Sequence, residues 1–281
     1  MSNLNEHAMA MTAAPSVDEI FRGLNTLPGL SPAVQAMLPR LADDDFEVAE
    51  LCGLLAQDPL LAARVLRLAN SSFYGLPRQV GSLQEAVMVL GTSNLRGLVL
   101  STGLIAAFAD AGATARSLAT AAAAGALARA LRRDAGLAFT AGLLHNLGEL
   151  LLGHFAAARW QTLEAEGMAE ETASVRLARE RQSFGYDNCM LAAEIASQWR
   201  FPIELQNALR RHRHPPDDPP EPLADLVHTA WVIESGDAAP ERTLLTPAVA
   251  NRLGLDGSDG TAALAAAKRA AEDSRRSGGR M

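Results

Sequence analysis

His145 and Asn146 stand together inside Gly142-Leu143-Leu144-His145-Asn146-Leu147-Gly148, and Glu149 follows one helical turn after His145, on the same face. Imidazole nitrogen and carboxylate oxygen both ligate metals, so a histidine and an acid at this spacing can help to hold one. Here the residue after the histidine is a neutral amide, which ligates poorly and brings no compensating charge. The residues alone therefore favour a structural or hydrogen-bonding histidine over a metal ligand.

Two other clusters invite chemistry. Arg210, Arg211, His212, Arg213 and His214 form a basic run that could meet phosphate or nucleic acid. The run also sits where a helix ends before two prolines, and cations there complement the helix dipole, which is the simpler reading. Residues 82–104 could form a helix-turn-helix, with Gly91 in the turn and Ser93, Asn94 and Arg96 opening a recognition helix. That second helix is mostly apolar (Leu95, Leu98, Val99, Leu100, Leu104, Ile105), whereas base reading needs polar side chains with cationic neighbours, so it reads as a core helix in an ordinary hairpin. No GxSxG, glycine-rich phosphate loop or P-loop lysine is present.

Composition narrows the classes further. A net charge of −7 and a pI near 5.4 oppose a main task of coating nucleic acid. Cys52 and Cys189 lie far apart, outside any CxxC pair, and fit buried apolar roles in a reducing cytoplasm. No basic patch followed by an apolar core marks a secretory signal. The longest apolar stretch, Leu95 to Phe108, falls short of the ~20 residues a membrane helix needs, so a soluble protein without membrane insertion is expected.

The elements that must position these residues are all helical in pattern. Residues 1–16 read as a loose tail, and from Val17 onward the apolar spacing has a helical period with no alternating strand run. Asp58–Pro59 reads as an N-cap with proline at the first helical position, and Ser82 with Glu85 as a capping box. Gly91 stops the helix that follows, and another runs from about Ser93 to Phe108. Ala111-Gly112-Ala113 marks the expected seam between sub-bundles of about 17–110 and 114–275. Further helices are expected at about 116–133, 137–152, 170–183, 187–199 (with Leu191, Ile195 and Trp199 buried), 202–211, 223–235, 247–253 and 260–275. Residues 215–222 form a proline- and acid-rich loop, and residues 276–281 a frayed end.

Several stretches together resemble the HDOD family, a branch related to HD-type phosphohydrolases and found in bacterial signalling proteins. They are Leu27-Pro28-Gly29-Leu30-Ser31, Asp58-Pro59-Leu60, Leu66-Arg67-Leu68-Ala69-Asn70-Ser71, Tyr74-Gly75, Ala86 through Gly91, Gly142 through His145, Phe184-Gly185, Trp199 with Pro202, and Leu223-Ala224-Asp225-Leu226-Val227-His228. Their order and spacing carry the resemblance over residues 20 to 255. It implies an all-α fold in which an N-terminal helical bundle packs against an HD-like helical bundle, and a regulatory rather than catalytic role. At the positions that hold metal in catalytic HD proteins, Arg116 stands where a histidine is common. His145 is retained, Asn146 replaces the partner aspartate, Asn188 replaces another histidine, His212 is kept and Arg213 replaces its neighbour.

HD hydrolases use metals to activate water and neutralise phosphate. Lost acid ligands and added guanidinium groups make a cation unwelcome here and an anion less so. The expectation is a non-catalytic cytoplasmic regulator or adaptor with no cofactor and no bound metal, acting through signalling-protein partners. An anionic nucleotide could occupy a vestigial pocket of Arg116, His145, Asn146, Asn188 and His212. A metal-dependent phosphohydrolase of nucleotides or cyclic dinucleotides is the first alternative, and a DNA-binding regulator the second. No receiver, cyclase or kinase segment is evident in the chain, so input and output are expected to come through partners or a ligand.

Overall fold

Several of the described helices begin at a side chain that takes over an unsatisfied backbone N–H. Asp58, Asp134, Thr172, Asp187 and Thr246 each accept from the amide three residues on. Proline opens four of the described helices, at Pro32, Pro59, Pro222 and Pro247, where a missing N–H costs nothing. Gly185 and Gly254 close others in the left-handed conformation, with φ of 85° and 67°.

The computed structural model describes residues 14–24, 32–41, 47–70, 76–108, 111–167, 171–236 and 245–278. Among them fifteen helices and no strand are found: α1 (Val17–Leu24), α2 (Pro32–Leu41), α3 (Val48–Leu55), α4 (Pro59–Ala69), α5 (Leu83–Phe108), α6 (Ala111–Ala130), α7 (Ala135–Leu144), α8 (Leu147–Phe155), α9 (Ala157–Ala165), α10 (Ala173–Phe184), α11 (Asn188–Gln198), α12 (Ile203–Arg211), α13 (Pro222–Ser235), α14 (Pro247–Leu253) and α15 (Ser258–Gly278). The all-α expectation holds. The motif residues Leu27 to Ser31 and Tyr74-Gly75 lie outside the described residues.

The main core runs across both halves of the chain, from Ile20, Leu51 and Val65 through Leu95 and Val99 to Leu144, Ile195, Leu209 and Val227. A second core packs the alanine-rich α6 against α13, α14 and α15 through Ala119, Ala123, Leu127, Leu226, Val249, Ala263, Ala267 and Ala271. Small side chains let these helices approach closely. At Gly142 on α7 an added Cβ would lie 2.8 Å from the Ala121 Cα on α6.

Several local expectations change. Ala111-Gly112-Ala113 is the first turn of α6, which starts five residues earlier than expected. The helix expected over 137–152 is two helices, α7 and α8, with a turn at His145 and Asn146 between them. Gly91 does interrupt α5, with φ 70° and ψ 167°, but the chain resumes as helix at once. The Ser82 box is half formed: Glu85 N–H donates to Ser82 Oγ at 3.2 Å, while the Glu85 carboxylate takes the Arg78 guanidinium. A full reciprocal box lies instead at Ser16, in the expected tail. Ser16 N–H donates to Glu19 Oε2 at 2.7 Å and Glu19 N–H to Ser16 Oγ at 3.3 Å. Just before it, the Pro15 carbonyl accepts from Tyr186 Oη at 2.5 Å.

Leu95, Leu98 and Val99 are buried, and Asn94 donates to the Leu90 carbonyl and accepts from Thr140 Oγ1. At Asn94, Leu95, Leu98 and Val99 the 82–104 hairpin therefore packs inward. Among the described residues one helical stretch, Ala135–Phe155, is long and apolar enough to cross a membrane, and its most apolar part is largely buried within the fold. It is not the 95–108 stretch singled out from hydropathy.

One buried ion pair locks α13 to α14. Arg252 reaches both carboxylate oxygens of Asp225, at 2.8 and 2.7 Å, and Asp217 Oδ1 at 2.6 Å, with Asp225 only 1% exposed. Removing one partner of such a pair strands a buried charge, so Arg252→Ala is expected to cost about 3–5 kcal/mol. Urea denaturation checks it: an unchanged midpoint would show that the fork carries no stability.

Candidate functional site

Three histidines meet behind a cleft. His145 ends α7, and its Nδ1–H donates to the Gly142 carbonyl at 2.7 Å. His212 ends α12 and donates from Nδ1 to the Leu209 carbonyl at 3.0 Å. His228, on α13, donates from Nδ1 to the His212 carbonyl at 2.7 Å. A carbonyl can only accept, so all three neutral rings carry the proton on Nδ1 and leave Nε2 as a lone pair. The His145 and His212 rings meet edge to face at 5.7 Å, and Trp231 touches both His212 and His228, at 6.3 and 6.1 Å. Among the described residues, Nε2 of His212 and of His228 is buried with no hydrogen-bond partner. Burial depresses the basicity of the whole cluster. It carries the His145 pKa down to about 4, and it takes His212 well below the ordinary value of 6.5 and His228 below it.

Beside these rings lies Arg213, 7% exposed, its guanidinium 4.8 Å over the Trp231 ring and paired with Glu149 of α8. The basic run at 210–214 is thus not one surface. Arg210, Arg211 and His214 are exposed, Arg211 pairs with Glu221 at 3.2 Å, and His212 and Arg213 turn inward. α12 ends at Arg211, and the turn that follows it carries His212 and Arg213 inward.

In front of the histidines, an open cleft of ≈ 360 Å³ is lined by Arg116, Asn146, Glu149, His154, Trp160 and Glu164, among others. Asn146 Oδ1 accepts from Ser117 Oγ at 2.8 Å, which ties the α7–α8 turn to α6. Arg176 pairs with Glu164 and stacks 5.0 Å over Trp160. Arg116 is exposed on the cleft wall, and no side chain hydrogen bonds to it among the described residues.

The five residues expected to share one pocket therefore divide. Arg116 and Asn146 line the cleft. His145 and His212 sit together behind it. Asn188 does not face it: its backbone N–H and Nδ2 both donate to Glu180 Oε2 at 2.7 Å, and Arg176 Nε holds the other oxygen of Glu180 at 3.0 Å. The physical reason is that Glu180, 0% exposed, needs those donors, so the Asn188 amide is committed inside α10–α11. Sequence reading missed Trp231, Trp160 and Ser117. Trp231 had a signal, standing three residues after His228 on the same face of α13; Trp160 and Ser117 reach the cleft only through tertiary packing.

Comparison with known proteins agrees with this architecture. Residues 27–215 match the HDOD domain. A crystal structure of a candidate phosphohydrolase from Shewanella amazonensis SB2B superposes with a TM-score of 0.67 at 29% identity, covering 91% of this chain and 96% of that one. An HDOD domain protein of unknown function from Geobacter sulfurreducens gives a TM-score of 0.63 at 22% identity, over 93% of this chain and 95% of that one, a likeness of fold. A candidate signal transduction protein from Marinobacter aquaeolei VT8 gives 0.61 at 27% identity, with 98% of this chain covering 63% of that one. An uncharacterized protein of Treponema pallidum (strain Nichols) is 26% identical over 235 residues, and the chain spans 43% of its length. With two thirds of its residues inside the matched domain, this chain belongs to the HDOD family.

Proposed function

We propose that this HDOD protein is a non-catalytic, cytoplasmic regulator that works through signalling-protein partners, and that its cleft takes up a small anionic ligand such as a nucleotide. The observation that carries the reading is the state of the acid groups at the HD position. Glu149 is held by Arg213, Asn146 is a neutral amide engaged by Ser117, and the exposed cation on the cleft wall is Arg116.

The side chains do not fit a resident divalent cation. Among the described residues no three His, Cys, Asp or Glu side chains are placed to hold one, and a guanidinium stands beside the two closest imidazoles. A phosphate fits better. Arg116 supplies a fork of N–H donors for it, and Trp160 adds an aromatic ring to the lining of the same cleft.

Thermal shift with guanosine and adenosine nucleotides at low salt tests the ligand. Saturation at a hundred times Kd should raise stability by about 2.7 kcal/mol, and Arg116→Ala should abolish the rise. An equal shift in both proteins would refute the role of Arg116, and the absence of any shift would refute the ligand. The competing reading is a metal-dependent phosphohydrolase of nucleotides or cyclic dinucleotides, favoured by the name of the Shewanella protein. Turnover of a generic phosphodiester with added Mn²⁺, lost in His145→Ala, would put it in first place.

A further inference from the structure

We infer that Arg213 is the residue that determines cation specificity at this site: its guanidinium takes the place a divalent metal would need and keeps metals out. The inference rests on the non-catalytic reading and deepens it. Three observations converge. The Arg213 side chain is 7% exposed and pairs with Glu149, the carboxylate on the helix that follows His145. Its guanidinium lies 4.8 Å over Trp231, and Trp231 in turn touches His212 and His228. His145 and His212, whose Nε2 lone pairs are the natural metal donors, are within electrostatic reach of the same charge.

Glu149 is half-buried at the edge of the cleft, and its counter-charge is already built into the chain as the buried Arg213 guanidinium. A metal would have to displace a covalently tethered cation, lose the stacking on Trp231 and then sit beside the displaced guanidinium. Each of these disfavours it. The histidines keep the Nδ1–H to carbonyl geometry that orients a ligating imidazole, yet the acid partner is already engaged. The site is therefore ordered by an internal ion pair and should be indifferent to chelators.

Cobalt(II) is the probe, because bound Co²⁺ has visible absorption that reports coordination. The full chain and its Arg213→Lys variant, which retains a cation, should show no saturable band and no thermal shift. Arg213→Met keeps much of the stem but no charge, and it should bind Co²⁺ more tightly than wild type by about tenfold or more. Adding Glu149→Gln should remove the gain. If Arg213→Met does not fold, Arg213→Gln, which keeps a polar group there without a charge or an imidazole, serves with the same readout. A variant as silent as wild type would overturn the assignment to Arg213 while leaving the non-catalytic reading intact. Tight Co²⁺ binding by the wild-type protein would overturn both.

Discussion

Gly148→Ala is expected to destabilise the protein by about 3 kcal/mol or more, at the upper end of what overpacking costs. An added Cβ at Gly148 would lie 1.9 Å from the Asn188 carbonyl oxygen and 2.6 Å from its carbonyl carbon. Both obstacles are backbone, so no side-chain rotation relieves them. Nor can α11 retreat freely. Asn188 starts that helix, and its N–H and amide are fixed on Glu180, which Arg176 holds from the far side. The strain would be shared between α8, which carries Glu149, and α11. The control is Gly153→Ala on the same helix, where the nearest atom to an added Cβ is 3.7 Å away on Trp160. That variant should be neutral or slightly stabilising, since alanine favours helix over glycine by roughly 1 kcal/mol. Urea denaturation of the pair decides it: equal midpoints would mean that α8 and α11 can separate at no cost.

Acid should unfold this protein earlier than its carboxylates alone would. A folded-state pKa of about 4 for His145, against an ordinary 6.5, means that the unfolded chain binds more protons between those values. Stability from this group is complete above pH 6.5 and is lost as pH falls toward 4. The loss amounts to about 3 kcal/mol for His145. His212 and His228 shift in the same direction for the same reason, burial, and add to the slope. Denaturation midpoints at pH 7.5, 6.0 and 5.0 should fall steadily, and His145→Gln should flatten the curve while lowering its plateau. A curve level down to pH 5 would show that water reaches these rings.

Much of the scaffold was legible before the structure. Asp58 and Asp187 announce helix starts because capping is local chemistry, settled within four residues. The buried stripe of Leu191, Ile195 and Trp199 follows from helical period alone. The errors came where two readings of the same residues compete. Ser16 looked like tail until its reciprocal bond with Glu19 and the tether from Tyr186 to Pro15 gave it a fixed place. Residues 137–152 carry an unbroken apolar pattern, so the turn at His145 and Asn146 is invisible to hydropathy. Arg213 was read in the basic run and, by resemblance, beside the kept His212, but its partners Glu149 and Trp231 went unseen because they lie 64 positions before it and on another helix. No pattern of local spacing encodes that meeting. Asn188 was placed in the pocket by alignment with a histidine position, and the carboxylate of Glu180 takes its amide elsewhere.

The core shared by the two halves bears on how a signal could pass. Leu95 and Val99 of α5 belong to the same packed cluster as Leu144 and Leu147, which flank the turn at the back of the cleft. Close-packed interiors transmit displacement because they have little free volume in which to absorb it. A partner gripping the N-terminal helices therefore pulls on the same apolar block that seats His145. Mechanically the molecule is one lever, with its handle and its working end cast in a single piece.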